Sequence, residues 1–125
     1  MNNTIKDNLK IIEKNIESLQ DSVFEKIIIN ASKIIIDSLK KNKKILFCGN
    51  GGSAGDSQHL SAELLGQYLK KRQPLAAVDL TSNTSLLTSV GNDISFDQVF
   101  SRQISAIGLK GDILFAITTS GKSKN

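Results

Sequence analysis

At Lys44 the hydrophobic period of the chain changes. The apolar run KILFC is followed directly by GNGGS and then by the polar helical stretch AGDSQHLSAELL. A short, continuous apolar run bounded by turn residues marks a strand buried on both faces. LAAVDL after Pro74 and DILFAIT after the KGD turn read as two further strands, the last an unusually apolar one to end the sheet. Helical patterns lie between and beside them, from about Ala54 to Lys70, from Thr84 to Val90 and from Phe96 to Ile107. In the last, Phe96, Val99, Phe100, Ile104 and Ile107 share a face. Strand, crossover helix, strand predicts an α/β fold with an open, right-handedly wound parallel sheet and flanking helices.

The segment before Lys44 has a different character. Ile5, Leu9, Ile12, Ile16 and Leu19 alternate steps of four and three, a narrow heptad stripe, and Val23, Ile27, Ile28, Ala31, Ile34, Ile35 and Leu39 repeat the helical period over a broader face. Residues 1–42 therefore read as an N-terminal hairpin of two antiparallel helices. It either packs on the sheet or supplies a bundle between subunits, and the narrow stripe favours the second. With 125 residues in all, one domain is expected, its α/β part running over 43–125.

Sixteen Lys and Arg against twelve Asp and Glu give a net charge of +4. The clusters at 40–44 and 70–72 have no interleaved aromatics, so solvated faces account for them and nucleic acid is not an expected partner. The start MNNTIKDNLK has no apolar targeting core, and no window offers the ~18 apolar residues of a membrane span. A cytoplasmic protein without a membrane partner is expected. Cys48 lies inside an apolar run and reads as a buried free thiol.

In open α/β sheets, ligands gather at the carboxyl ends of the strands. Two loops there carry unusual chemistry. GNGGS offers amides unobstructed by side chains at a helix N-terminus, and TTSGKSK offers Thr118, Thr119, Ser120 and Ser123 around Gly121. Glycine amides with hydroxyls suit a phosphate; good N-caps explain each loop equally well alone. The GKS at 121–123 is not a nucleotide-binding P-loop, since Ala116 stands where that motif needs glycine. GNGGSA can be written as a dinucleotide fingerprint with Asp79 as its ribose acid. Against that stands the polar helix that follows. On it His59 and Glu63 are one turn apart on one face, with Ser53 and Asp56 toward its start. Such a pair is able to share a metal ion or to work as a base oriented by an imidazole; an exposed polar pair is the plainer alternative.

CGNGGSAGDSQHLSAELLG, VGND at 90–93, FDQVFSRQI at 96–104 and TTSGKS at 118–123, in this order and spacing, resemble the phosphoheptose isomerases of the sugar isomerase (SIS) domain superfamily. The resemblance runs from about Ile45 to the end, and a two-helix N-terminus is typical of those enzymes. It implies an SIS-type sheet, flavodoxin-like or Rossmann-like. It also implies a homotetrameric, zinc-dependent enzyme that converts sedoheptulose 7-phosphate to D-glycero-D-manno-heptose 7-phosphate for lipopolysaccharide or capsule. Carried over by motif, Asn50, Gly51, Gly52, Ser53, Asn92 and Asp93 contact the sugar. Thr118, Thr119, Ser120 and Ser123 hold the phosphate, His59 and Glu63 bind zinc, and Glu63 is also the base. Two departures accompany it. Gln67 stands where the family commonly has arginine, which bears on substrate preference. The family also continues for roughly another half-chain carrying further zinc ligands, so a fragment of a longer polypeptide is expected. A non-catalytic SIS protein that binds sugar phosphates or scaffolds a replication initiator is the alternative function.

Overall fold

The computed structural model describes residues 2–125, with side chains from Thr4 onward. The chain divides into two compact units, residues 1–36 and 37–125.

In the first unit, helix α1 (Asn2–Leu19) leads through Gln20 and Asp21 into α2 (Ser22–Lys40). Asp21 Oδ1 accepts the Val23 amide at 2.9 Å and so opens α2. The helical periods are as the sequence implies. The stripe residues Ile5, Leu9, Ile12, Ile16 and Leu19 are nevertheless 53–63% exposed, and Val23, Ile27, Ile28 and Ile34 are exposed to a similar degree. Neither helix buries the other's stripe within the single chain.

The second unit holds the sheet. Among the described residues, three parallel strands lie in the order β2 (Ala77–Asp79), β1 (Ile45–Gly49), β3 (Ile113–Ile117). All five residues of β1 are buried. Ile45 is level with Ala77 on one side and Ile113 on the other. Leu46 and Cys48 point into a core made with Leu80, Val90, Val99 and Phe100, to which α4 (Thr84–Val90) and α5 (Val99–Ile107) contribute. Burial pushes the Cys48 thiol up, which keeps it protonated and unreactive, as its apolar context suggested. Buried Gln103 ties the layer together by donating to the carbonyls of Leu80 at 2.8 Å and Val99 at 2.9 Å.

By strand alternation, Ile45, Phe47 and Gly49 face the other way, toward α3 (Gly52–Leu65). That helix buries Ser53, Ser57 and Ser61 and no large side chain. Its approach is correspondingly close: a Cβ on Gly49 would lie 2.5 Å from the Ser53 carbonyl oxygen. Ser57, fully buried, returns its hydroxyl to Ser53 O at 2.8 Å, so the tight interface leaves it no unmet donor.

Three expectations are corrected. Helix α3 stops at Leu65 instead of near Lys70, because Gly66 closes the last bond to Ala62 O at 2.8 Å and then leaves the helical conformation, with ψ −144°. Phe96 is 57% exposed and Ile107 41%, although both were expected on the buried face. A π-helical turn at Gly91–Ser95 and a 3-10 turn at Phe96–Gln98 precede α5 and throw Phe96 out of its register, while Ile107 is the last residue of α5.

One ion pair joins the start of β1 to the start of β3. Asp112, its side chain 5% exposed, accepts from the Lys44 ammonium, from the Lys44 amide at 3.0 Å and from the Leu109 amide at 2.8 Å. The Lys44 hydrogen bond above all holds its carboxyl below the ordinary aspartate value of 3.8, at about 2. A depressed folded-state pKa stabilises the fold above the unfolded pKa and withdraws that support as pH falls through the folded one. Thermal melts should therefore lose stability between about pH 4 and pH 2 in the parent protein. Asp112→Asn should be less stable at pH 7 and show a shallower decline over that window; an equally steep decline would place the acid sensitivity elsewhere.

Candidate functional site

The C-terminal ends of β1 and β3 carry the two loops singled out in the sequence, and the structure brings them together. Gly51 takes φ +56° as the residue capping α3, a left-handed conformation that glycine adopts without strain. Gly51, Gly52 and Gly55 have open space where a side chain would stand. Among the described residues no acceptor meets the Gly51 or Gly52 amides, so they face outward at the positive end of a 14-residue helix.

Opposite them the loop after β3 presents its hydroxyls. Thr118 Oγ1 accepts the Gly121 amide at 3.1 Å and Ser120 Oγ accepts the Lys122 amide at 3.2 Å. Each oxygen thus spends a lone pair on its own loop and keeps its proton for an outside acceptor. Asn50, Ser53, Thr118, Thr119, Ser120 and Ser123 line a cavity of about 90 Å³. That is about three times the volume of one water in the liquid, a size suited to a tetrahedral oxyanion. An adjoining cavity of about 250 Å³ reaches from Cys48 and Phe100 to Lys124 and Asn125.

Asn125 was missed by sequence reasoning. Its side chain exchanges two hydrogen bonds with that of Asn50, at 2.8 and 3.0 Å, so each amide fixes the other's orientation. Nothing in a lone Asn 75 positions away signals this; only the parallel pairing of β1 with β3 brings the two together.

Further along α3, His59 Nε2 and Glu63 Oε1 are 3.7 Å apart, with the two side chains 74% and 34% exposed. Gly52, Asp56, His59 and Glu63 fall on one stripe at ~100° per residue, and the buried serines on another. Two donors at zinc-ligand distances in tetrahedral geometry would sit ~3.4 Å apart, so this pair fits two corners of such a site. Among the described residues no cluster of three His, Cys, Asp or Glu completes it. Asn92 and Asp93 lie elsewhere, exposed in the π-helical turn, where the Asn92 amide donates to Asp93 Oδ1 at 2.7 Å. They line neither cavity. Asp79 Oδ1 accepts the Thr81 hydroxyl at 2.7 Å and the Thr81 amide at 3.0 Å, while its Oδ2 is buried without a hydrogen-bond partner.

The family model of the SIS domain matches residues 8–125. The chain is 57% identical over 98 residues to the phosphoheptose isomerase of Rhodospirillum rubrum, a match covering 78% of this chain and 52% of that protein. It is 51% identical over 114 residues to that of Aliarcobacter butzleri, covering 91% and 58%. Among solved structures, the phosphoheptose isomerase of Neisseria gonorrhoeae superposes with a TM-score of 0.86 at 40% identity, covering 99% of this chain and 64% of that one. The chain thus spans about half the length of the curated relatives it matches.

If the small cavity takes a phosphate, the outward hydroxyls matter individually. A hydrogen bond to a charged group is worth about 1.5–3 kcal/mol, so Ser120→Ala with Ser123→Ala should weaken binding of a sugar phosphate by at least tenfold while unfolding stays cooperative. Calorimetric titration with the same ligand on both proteins checks this, and an unchanged affinity would remove the loop from the site.

Proposed function

The chain belongs to the SIS domain family, and on that footing we propose that it forms the phosphate-holding and proton-transferring side of a phosphoheptose isomerase. The reaction is conversion of sedoheptulose 7-phosphate to D-glycero-D-manno-heptose 7-phosphate in heptose synthesis. The observation that carries the proposal is the juxtaposition on α3 of an oxyanion-sized hydroxyl cavity at its N-terminus and the His59–Glu63 pair farther along.

The distances suit a seven-carbon substrate. His59 and Glu63 lie roughly 9 and 15 Å along the axis from Ser53 at ~1.5 Å per residue, and helical side chains lean back toward the N-terminus. From C1 to the phosphorus of the substrate is roughly 10–12 Å at full stretch, taking ~1.5 Å per bond. Phosphate in the hydroxyl cavity therefore carries C1 of an extended substrate past His59, and the Glu63 side chain, leaning back along the helix, has to span the remainder.

Isomerisation moves one proton from C1 to C2 and one from O1 to O2, with none gained overall. The Glu63 carboxylate takes the proton from C1 of the ketose, and the C–H electron pair becomes the C1=C2 double bond as the C2 oxygen is protonated. The enediol then loses the proton on O1 and recovers one at C2, which gives the aldose. Oε1 faces His59, which leaves Oε2 for this work. Zinc, bound by His59 and Glu63 with ligands from outside the described residues, would supply polarisation of the substrate oxygens. The 74% exposure of His59 means the pair needs a cover, which we assign to further polypeptide or to neighbouring subunits of a homo-oligomer, by family resemblance a tetramer.

The test is isomerase turnover with metal analysis on the intact polypeptide produced from its own gene. A positioned base contributes about 10²–10⁴ in rate, so Glu63→Gln should lower turnover by that factor while substrate still binds. His59→Ala should lower zinc content first. Near-normal turnover in Glu63→Gln would assign the base elsewhere.

The open stripe of α1 is the proposed subunit seam. Leu9→Glu with Ile16→Glu would bury unpaired charge there, and light scattering should report dissociation; an unchanged mass would count against the seam.

A further inference from the structure

The turn that carries Glu63 is held by a side chain to which no role has been assigned. Glu63 lies two residues before the end of α3, where the last four carbonyls have no intrahelical partner. Ala62 O is taken by the Gly66 amide at 2.8 Å. The next two are taken by one guanidinium: Arg72 Nη2 donates to Glu63 O at 2.6 Å and Nη1 to Leu64 O at 2.8 Å. Nη1 also reaches Gln73 O at 3.0 Å, which anchors the guanidinium to its own loop, and the Leu75 amide donates to Leu64 O at 2.9 Å. The segment after α3 thus folds back and clamps the helix end with a planar, permanently charged fork, placed where the helix dipole favours a cation.

We propose that Arg72 is a positioning residue for the proton transfer: by bridging two successive carbonyls it fixes the last turn of α3 and with it the Glu63 carboxylate over the substrate. The inference rests on Glu63 being the base. Without the fork, the Glu63 carbonyl turns to water and the Leu64 carbonyl keeps only the Leu75 amide, so the terminal turn loosens and displaces a carboxylate whose function depends on placement. Lysine keeps the charge but offers a point donor in place of a rigid fork spanning two acceptors.

The test compares Arg72→Ala and Arg72→Lys with the parent enzyme, as the intact polypeptide, by hydrogen exchange and by steady-state kinetics on sedoheptulose 7-phosphate. In Arg72→Ala, exchange should accelerate at the amides of residues 64–66 and 75 and be unchanged in β1. A displacement on the order of 1 Å lowers rate about 10²-fold, so kcat should fall about 10- to 100-fold with KM within about twofold, and Arg72→Lys should lie between. A purely structural role would instead lower the melting temperature and the yield of folded protein while kcat per folded site stayed constant. Unchanged exchange at the helix end overturns the proposal. So does faster exchange with unchanged kcat, or a loss confined to KM. If Arg72→Ala does not accumulate folded, Arg72→Lys carries the same comparison. Loss of turnover in Glu63→Gln beside normal turnover in Arg72→Ala overturns the Arg72 assignment alone; normal turnover in Glu63→Gln removes the base and the positioning role together.

Discussion

The contact on which the site depends is the approach of α3 to β1. The Ser53 carbonyl lies 2.5 Å from where a Cβ on Gly49 would stand, so the strand must end in glycine for the helix to begin where it does. The serine face of α3 follows from the same constraint, since leucines at positions 53, 57 and 61 would hold the helix farther off. Held close, α3 places its first turn level with the end of β1. Ser53 in that turn then lines one cavity with the loop of β3, a strand in register with β1 through all five of its residues.

Much of this was legible in the sequence because each signal was local. A buried strand running straight into GNGGS fixes the strand, the loop and the helix start together, and the structure has each within a residue or two. The two loops at the carboxyl ends were recognisable from residue type, and parallel pairing then brought them to one cavity. Less legible was whatever depends on where a helix stops or how it is entered. The apolar period around Leu64, Leu65 and Leu69 continues past the point at which Gly66 ends α3, and Phe96 keeps the spacing of a core residue while a π-helical turn carries it to the surface. Asn125 and Arg72 were invisible for another reason. Their partners are an amide 75 positions away and two backbone carbonyls, and no pattern of residue types records either.

The N-terminal unit shows how a period can be read correctly while its partner stays open. Heptad spacing specifies a stripe but says nothing of what covers it. With the stripes of α1 and α2 largely exposed in the single chain, the sequence feature is an invitation to association, and the homo-oligomer of the proposed function is the answer we give it.

The two walls of the small cavity differ in one further respect. Ser53 belongs to a helix seated against a buried strand with no slack, whereas Thr118 to Lys124 are all exposed and hold themselves by two short-range hydrogen bonds. Fixing a backbone residue costs about 1–2 kcal/mol of entropy, and nearly all of that cost on binding falls on the hydroxyl wall. An anion bound there would meet a preorganised helix wall and a hydroxyl wall that bears the ordering cost. Capture would accordingly be enthalpically favourable and entropically opposed, with the opposition located in seven residues of one loop.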